Sequence, residues 1–387
     1  AIGRNALYFE DYVLSIQYFN QVINAKPYLS DPYFYRGLAK INLDDFQGAE
    51  SDCSEAIERN PFVVSAYQVR GLARIQQNNF AGAIEDYTKA LEFDPENIGV
   101  WHNMALCRIR QEDYKGAKND LDKLIAISPR YTKAYLMRGE VDLKQKDTLA
   151  AEKDFGKAIE IDRYDADTWA SRAILRLQQQ RYKDAEADFD HAIRLSTRNS
   201  GVYINRALAR YHQNNLRGAM SDYDIALDID PNNFIGHYNR GLLRAQVGDD
   251  NRAIQDFNFV IEMEPDNMMA IFNRGLLLDQ TGDYKGAIKD YSTVINEYPN
   301  FLLGYQYRAQ ARRKIGDVKG ADADEFKVLK AQLDKQNGVD PNKQTADNTE
   351  NNKTRKKSDK NMNNYRKIVV ADNEEGEEKY KSDYRGR

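Results

Sequence analysis

Eight arginines share one spacing: Arg36, Arg70, Arg138, Arg172, Arg206, Arg240, Arg274 and Arg308 fall on a 34-residue grid. Nine aspartates fall on the same grid sixteen residues later in each copy: Asp52, Asp86, Asp120, Asp154, Asp188, Asp222, Asp256, Asp290 and Asp324. A guanidinium row is a planar fork of donors suited to phosphate or carboxylate. Set against acids at a fixed offset, it can instead tie the chain to itself. The joint occurrence of the two columns favours the structural use, with Asp120 left unmatched where Met104 replaces arginine. A second row, Arg74, Arg108, Arg176, Arg210, Arg244 and Arg312, has no equally regular partner in the sequence and stays open as an anion-facing row.

A neutral chemistry runs beside the charged one. Asn103, Asn205, Asn239 and Asn273 share one column of the grid. Each primary amide carries both a donor and an acceptor, so a row of them can grip the main chain of an extended peptide without reading its sequence. Ile204, Tyr238 and Phe272 precede three of these amides, and Leu208, Leu242 and Leu276 follow them by three residues. Hydrogen bonds for a main chain and pockets for side chains make a peptide site. The alternative is that the amides cap local backbone and the leucines pack between helices. Catalytic constellations are not found. His102, His191, His212 and His237 are dispersed without metal-ligand spacing, and there is no phosphate-cradling glycine loop, nucleophile elbow or paired-cysteine motif. The reading is a non-enzyme without cofactor or metal. Cys53 and Cys107 fall at core columns and read as buried thiols.

The grid itself dictates what positions these residues. Pro27, Pro61, Pro95, Pro129, Pro231, Pro265 and Pro299 obey it, as do Ala49, Ala83 and every 34th residue on to Ala321. A fixed period in this range means stacked copies of one supersecondary unit. With position 1 at residues 30, 64, 98 and so on to 302, positions 1–14 and 17–30 each carry apolar residues at helical spacing. Gly248-Asp249, Gly282-Asp283 and Gly316-Asp317 supply a stop for the first helix and a cap for the second. Gly or Ala at position 8 and Ala at position 20 let two antiparallel helices approach closely. Ile or Leu at position 28 and a mostly aromatic position 24 fill the seam.

An aromatic at 4, Gly or Ala at 8, Ala at 20, an aromatic at 24, a small residue at 27 and Pro at 32 resemble the tetratricopeptide repeat. Tyr67, Gly71, Ala83, Tyr87, Ala90 and Pro95 carry the pattern in one copy. The resemblance covers about ten tandem copies over residues 1–333, the first lacking its opening turn. It departs at position 32, where Arg163, Thr197 and Leu333 stand for proline. It implies an all-α, right-handed superhelix of helical hairpins whose concave wall is built from first helices, with positions 2, 5, 6, 9, 12 and 13 near the groove. That places Asn103, Asn205, Asn239, Asn273, Ile204, Tyr238, Phe272, Leu208, Leu242 and Leu276 as the peptide-binding set. The row resembles the asparagine ladder in the repeat arm of O-linked N-acetylglucosamine transferases. The basic residues of a two-carboxylate clamp are missing, Lys133 standing alone at position 2.

Apolar residues make up 41% and charged residues 30% of the 387, enough for a folded array, and a net charge of −4 argues against a general nucleic-acid binder. No apolar run reaches the roughly 20 residues of a membrane helix. Residues 334–387 read as a polar tail. Within it, 339–363 is expected to be disordered, and Tyr-Arg-Lys-Ile-Val-Val-Ala at 365–371 reads as strand-like. Glu325 in the last copy suggests a polar cap, and Ile2, Phe9 and Phe19 in the first suggest chain upstream. The function expected is a scaffold for a protein or peptide partner. The alternative is a regulatory or substrate-presenting arm of a larger enzyme or envelope assembly.

Overall fold

The structure, a computed structural model, describes residues 2–195, 198–337 and 362–368. The described residues are helical hairpins in chain order. They run α1 (Ile2–Tyr8) and α2 (Tyr12–Ala25), α3 (Asp31–Ile41) and α4 (Phe46–Arg59), α5 (Val64–Gln76) and α6 (Phe80–Phe93), α7 (Ile98–Arg110) and α8 (Tyr114–Ile127), then α9 (Thr132–Lys144) and α10 (Thr148–Ile161). There follow α11 (Ala166–Gln178) and α12 (Tyr182–Arg194), α13 (Ser200–His212) and α14 (Leu216–Ile229), α15 (Phe234–Gln246) and α16 (Asp250–Met263), α17 (Met268–Thr281) and α18 (Tyr284–Glu297), and α19 (Leu302–Lys314) and α20 (Val318–Gln336). A 3-10 turn at Met362–Asn364 is the remaining element among the described residues.

The turn inside each hairpin follows from position 15, which lies in the left-handed region in every copy. Gly248, Gly282 and Gly316 have φ of 81°, 93° and 82°, while Asp44, Asn78, Glu112 and their equivalents sit near 60°. The next residue caps the second helix. Asp45, Asn79, Asp113, Asn215, Asp283 and Asp317 each accept a bond from the backbone N–H three residues on, satisfying a donor that a helix start leaves orphaned. Asp249 does not cap, and pairs with Arg252 instead.

Packing divides the chain into two units, the first built on residues 1–175 and the second on 176–374. In the first unit α1 to α10 each pack on their chain neighbours, and α3 also touches α5. Leu121, Leu124, Met137 and Val141 form part of its core, and Cys53 and Cys107 are both buried and free. In the second unit α12 to α20 repeat the arrangement, and α17 also contacts α15, α19 and the 3-10 turn. The position-20 alanines have no exposed surface in either unit. The position-8 glycines are equally constrained: a Cβ on Gly139 would lie 2.6 Å from the Phe155 ring and one on Gly71 2.8 Å from Tyr87.

The end of the chain departs from expectation. Residues 365–368 are not a strand; they form a turn and a short irregular stretch, and 369–371 lie outside the described residues. Met362 and Asn364, at and beside the end of the segment expected to be disordered, belong to the ordered 3-10 turn. On the final helix Glu325 is exposed and pairs with Arg313, and Phe326, Leu329 and Leu333 are each about half exposed or more.

Candidate functional site

The arginine columns are consumed by structure. Arg36, Arg70, Arg138, Arg206, Arg240, Arg274 and Arg308 each grip the aspartate sixteen residues on with Nε and Nη2, at 2.5–3.1 Å. The remaining Nη1 reaches back to the second helix of the preceding hairpin, to Asn20, Ser54, Asp122, Asp190, Asp224, Asn258 or Ser292. One guanidinium therefore joins three helices. The second arginine row, which the sequence left without a regular partner, has one after all: Arg74, Arg108, Arg176, Arg210, Arg244 and Arg312 bond the same buried aspartates at 2.7–3.1 Å. The offset of twelve residues was hidden because the column it meets was already matched to another arginine.

Charge balance varies between copies. Burial pushes Asp120 up to about 6, against the pull of Arg108, because Met104 removes the second arginine. Burial also acts upward on Asp256, but bonds from His237 and Arg240 and the charges of Arg240 and Arg244 outweigh it and hold this carboxyl below the usual range. His237, placed in the aromatic column, bonds Asp256 through Nδ1 at 3.0 Å and the Pro231 carbonyl through Nε2 at 2.9 Å, and stacks on Phe259.

The asparagine column separates by unit. In the first, Asn103 is buried and its amide approaches the Tyr87 hydroxyl at 3.5 Å. In the second, Asn205, Asn239 and Asn273 stand on α13, α15 and α17. Asn205 and Asn239 are 0% exposed, so a chain running along the surface finds them covered. Ile204, Leu208, Tyr238 and Phe272 are buried too, whereas Leu242 and Leu276 are half-buried.

Asn273 does meet a main chain. Its Nδ2 donates to the Tyr365 carbonyl at 2.6 Å and to the Met269 carbonyl at 2.9 Å, using both hydrogens. The Tyr238 hydroxyl donates to the same Tyr365 carbonyl at 2.7 Å. A carbonyl accepts two such bonds, so this carbonyl is fully satisfied by two of the residues expected from the sequence. The Tyr365 ring stands edge-on to Phe272, centroids 4.8 Å apart, an arrangement aromatic quadrupoles favour. Met362 joins the same apolar cluster, with Tyr291, Phe301 and Met269. Beyond Tyr365 lies a cavity of about 350 Å³ bounded by Leu242, Gln246, Leu276, Gln280, Arg366 and Ile368, among others. Of the residues expected from the sequence, Tyr238, Phe272 and Asn273 are the ones in contact with Tyr365. Sequence reasoning missed the occupant, whose signal was two large apolar side chains three residues apart in an otherwise polar stretch.

Such hairpin stacks, with their side-chain amides on first helices, define a repeat scaffold. The chain belongs to the tetratricopeptide repeat family: a profile described as TPR repeat matches residues 71–107, and two described as tetratricopeptide repeat match 98–131 and 132–165, and 171–234 and 238–300. Together they span more than half of the sequence. The fold is similar to a tetratricopeptide repeat protein from Parabacteroides merdae (TM-score 0.50, 21% identity, 64% of this chain and 98% of that one). It is also similar to the C-terminal part of a TPR repeat-containing protein from Cytophaga hutchinsonii (TM-score 0.51, 18% identity, 61% and 97%). No curated protein matches the sequence. The fold is that of protein–protein interaction scaffolds in general, with proteins or peptides as partners. No helix among the described residues is long and apolar enough to cross a membrane.

Proposed function

We propose that the chain is a non-catalytic scaffold that holds an extended segment of a partner protein against the first helices α15 and α17 of its second unit. Tyr238 and Asn273 would bind the partner's main chain, Phe272 would pack on an aromatic side chain, and Leu242 and Leu276 would take the residues that follow. One observation carries the reading: a peptide carbonyl from far along the chain is held there by both donors at once. Gln246 and Gln280, beside the half-buried leucines, continue the same mixture of amide and apolar surface. Affinity for a short segment is expected at ~1–100 µM, where 1 µM corresponds to about −8 kcal/mol.

A displayed random-peptide library panned on the whole chain tests this. Selected peptides are expected to lose affinity by ~10-fold or more, about 1.4 kcal/mol, on Asn273→Ala and on Leu276→Lys, with helicity by circular dichroism unchanged. Selected peptides that bind both variants as well as the wild type would remove the groove assignment.

A further inference from the structure

Residues 362–368 do more than happen to lie in the groove. We propose that they are a built-in ligand, an apolar residue followed three positions later by an aromatic, and that the groove's outside partners carry the same motif and must displace it. The inference rests on the groove reading above and specifies the partner's chemistry.

The geometry supplies the motif. In a 3-10 turn, residues i and i+3 project on the same side. Met362 and Tyr365 are so related, and the Tyr365 N–H closes the turn on the Met362 carbonyl at 3.2 Å. Both side chains are buried, at 4% and 9% exposure, while Arg366 and Lys367 are exposed. The two anchors thus enter the pocket as a pair, and the carbonyl of the second is the group held by Tyr238 and Asn273. The Arg366 guanidinium lies over the Tyr365 ring, 5.3 Å from its centroid. Between residues 338 and 361 the apolar side chains are Val339 and Ala346. Tyr365 and Ile368 are also three apart, but Ile368 is only half-buried, so burial and the turn geometry select Met362 and Tyr365 as the anchors.

A tethered ligand acts at an effective concentration of about millimolar when its linker spans the distance. If its intrinsic affinity is ~100 µM, it lowers the apparent affinity of an outside segment by ~10-fold. The test uses the full chain and a fluorescein-labelled peptide of sequence Lys-Asn-Met-Asn-Asn-Tyr-Arg-Lys-Ile, with a control in which its Met and Tyr are Ala. The double variant Met362→Ala, Tyr365→Ala leaves the groove untouched. It is expected to bind the peptide ~10-fold more tightly than the wild type and to ignore the control. Adding Asn273→Ala should abolish the gain. Equal affinity of wild type and double variant, still lost with Asn273→Ala, would overturn the built-in ligand and leave the groove standing. Binding indifferent to both Asn273→Ala and Leu276→Lys, or no binding by the double variant, would overturn both. Concentration-dependent dimers that vanish with Tyr365→Ala would overturn the intramolecular reading by placing the segment in a second copy.

Discussion

At the scale of the residue, the energetics turn on how many cations face each buried aspartate. A buried pair is often near neutral against an apolar substitute, yet removing one member strands the other. Asp256 and Asp120 are the two extremes. Asp256 is held below its ordinary pKa, so its contribution to stability is present above the unfolded value and lost as pH falls through the folded one. Asp120 is raised from 3.8 to about 6, so its contribution has the opposite sign: it is present below about pH 4 and lost as pH rises through 6. Denaturant unfolding across pH 4–7.5 should therefore show Asp120→Asn gaining on the wild type above pH 6 and converging with it near pH 4. Asp256→Asn should lose about 3–5 kcal/mol at pH 7. The same sign of effect for both variants at pH 7 would contradict the assignment. The first arginine column was legible because its partner column was unclaimed. The second was not, because one carboxylate has two oxygens and the sequence does not say that two arginines share it.

At the scale of the element, the hairpin was readable because it depends on local rules that recur on the grid. A left-handed position 15, a capping position 16 and a small position 20 are each required by backbone geometry or close approach. Ala185 has no exposed surface, so Ala185→Leu should overpack the helix contact and cost about 1–3 kcal/mol. An unchanged melting midpoint would show that the surroundings of Ala185 have room the register denies. The strand-like reading fails over the described residues 365–368 for a different reason. Ile368, Val369 and Val370 have high β-propensity, but that preference reflects fitting a pleated, half-buried surface, and no sheet is offered among the described residues. Met362 and Tyr365 bury more by pairing their side chains through a 3-10 turn.

At the scale of the whole molecule, each unit stabilises itself through nearest-neighbour contacts, as repeat arrays do. The arginines strengthen that coupling by spanning from one hairpin to the second helix of the hairpin before it. The peptide-binding set was legible as a column but not as a site. Asn205, Asn239 and Asn273 share one spacing and all three are buried, so neither periodicity nor burial singles one out. What distinguishes Asn273 is the segment laid across it, more than ninety residues later in the sequence. Amide hydrogen exchange on the full chain, with and without a saturating library-selected peptide, tests the central claim most directly. The account predicts added protection on α15 and α17 together with faster exchange at residues 362–368 as that segment is displaced. Protection confined to the second helices, with 362–368 unchanged, would contradict it.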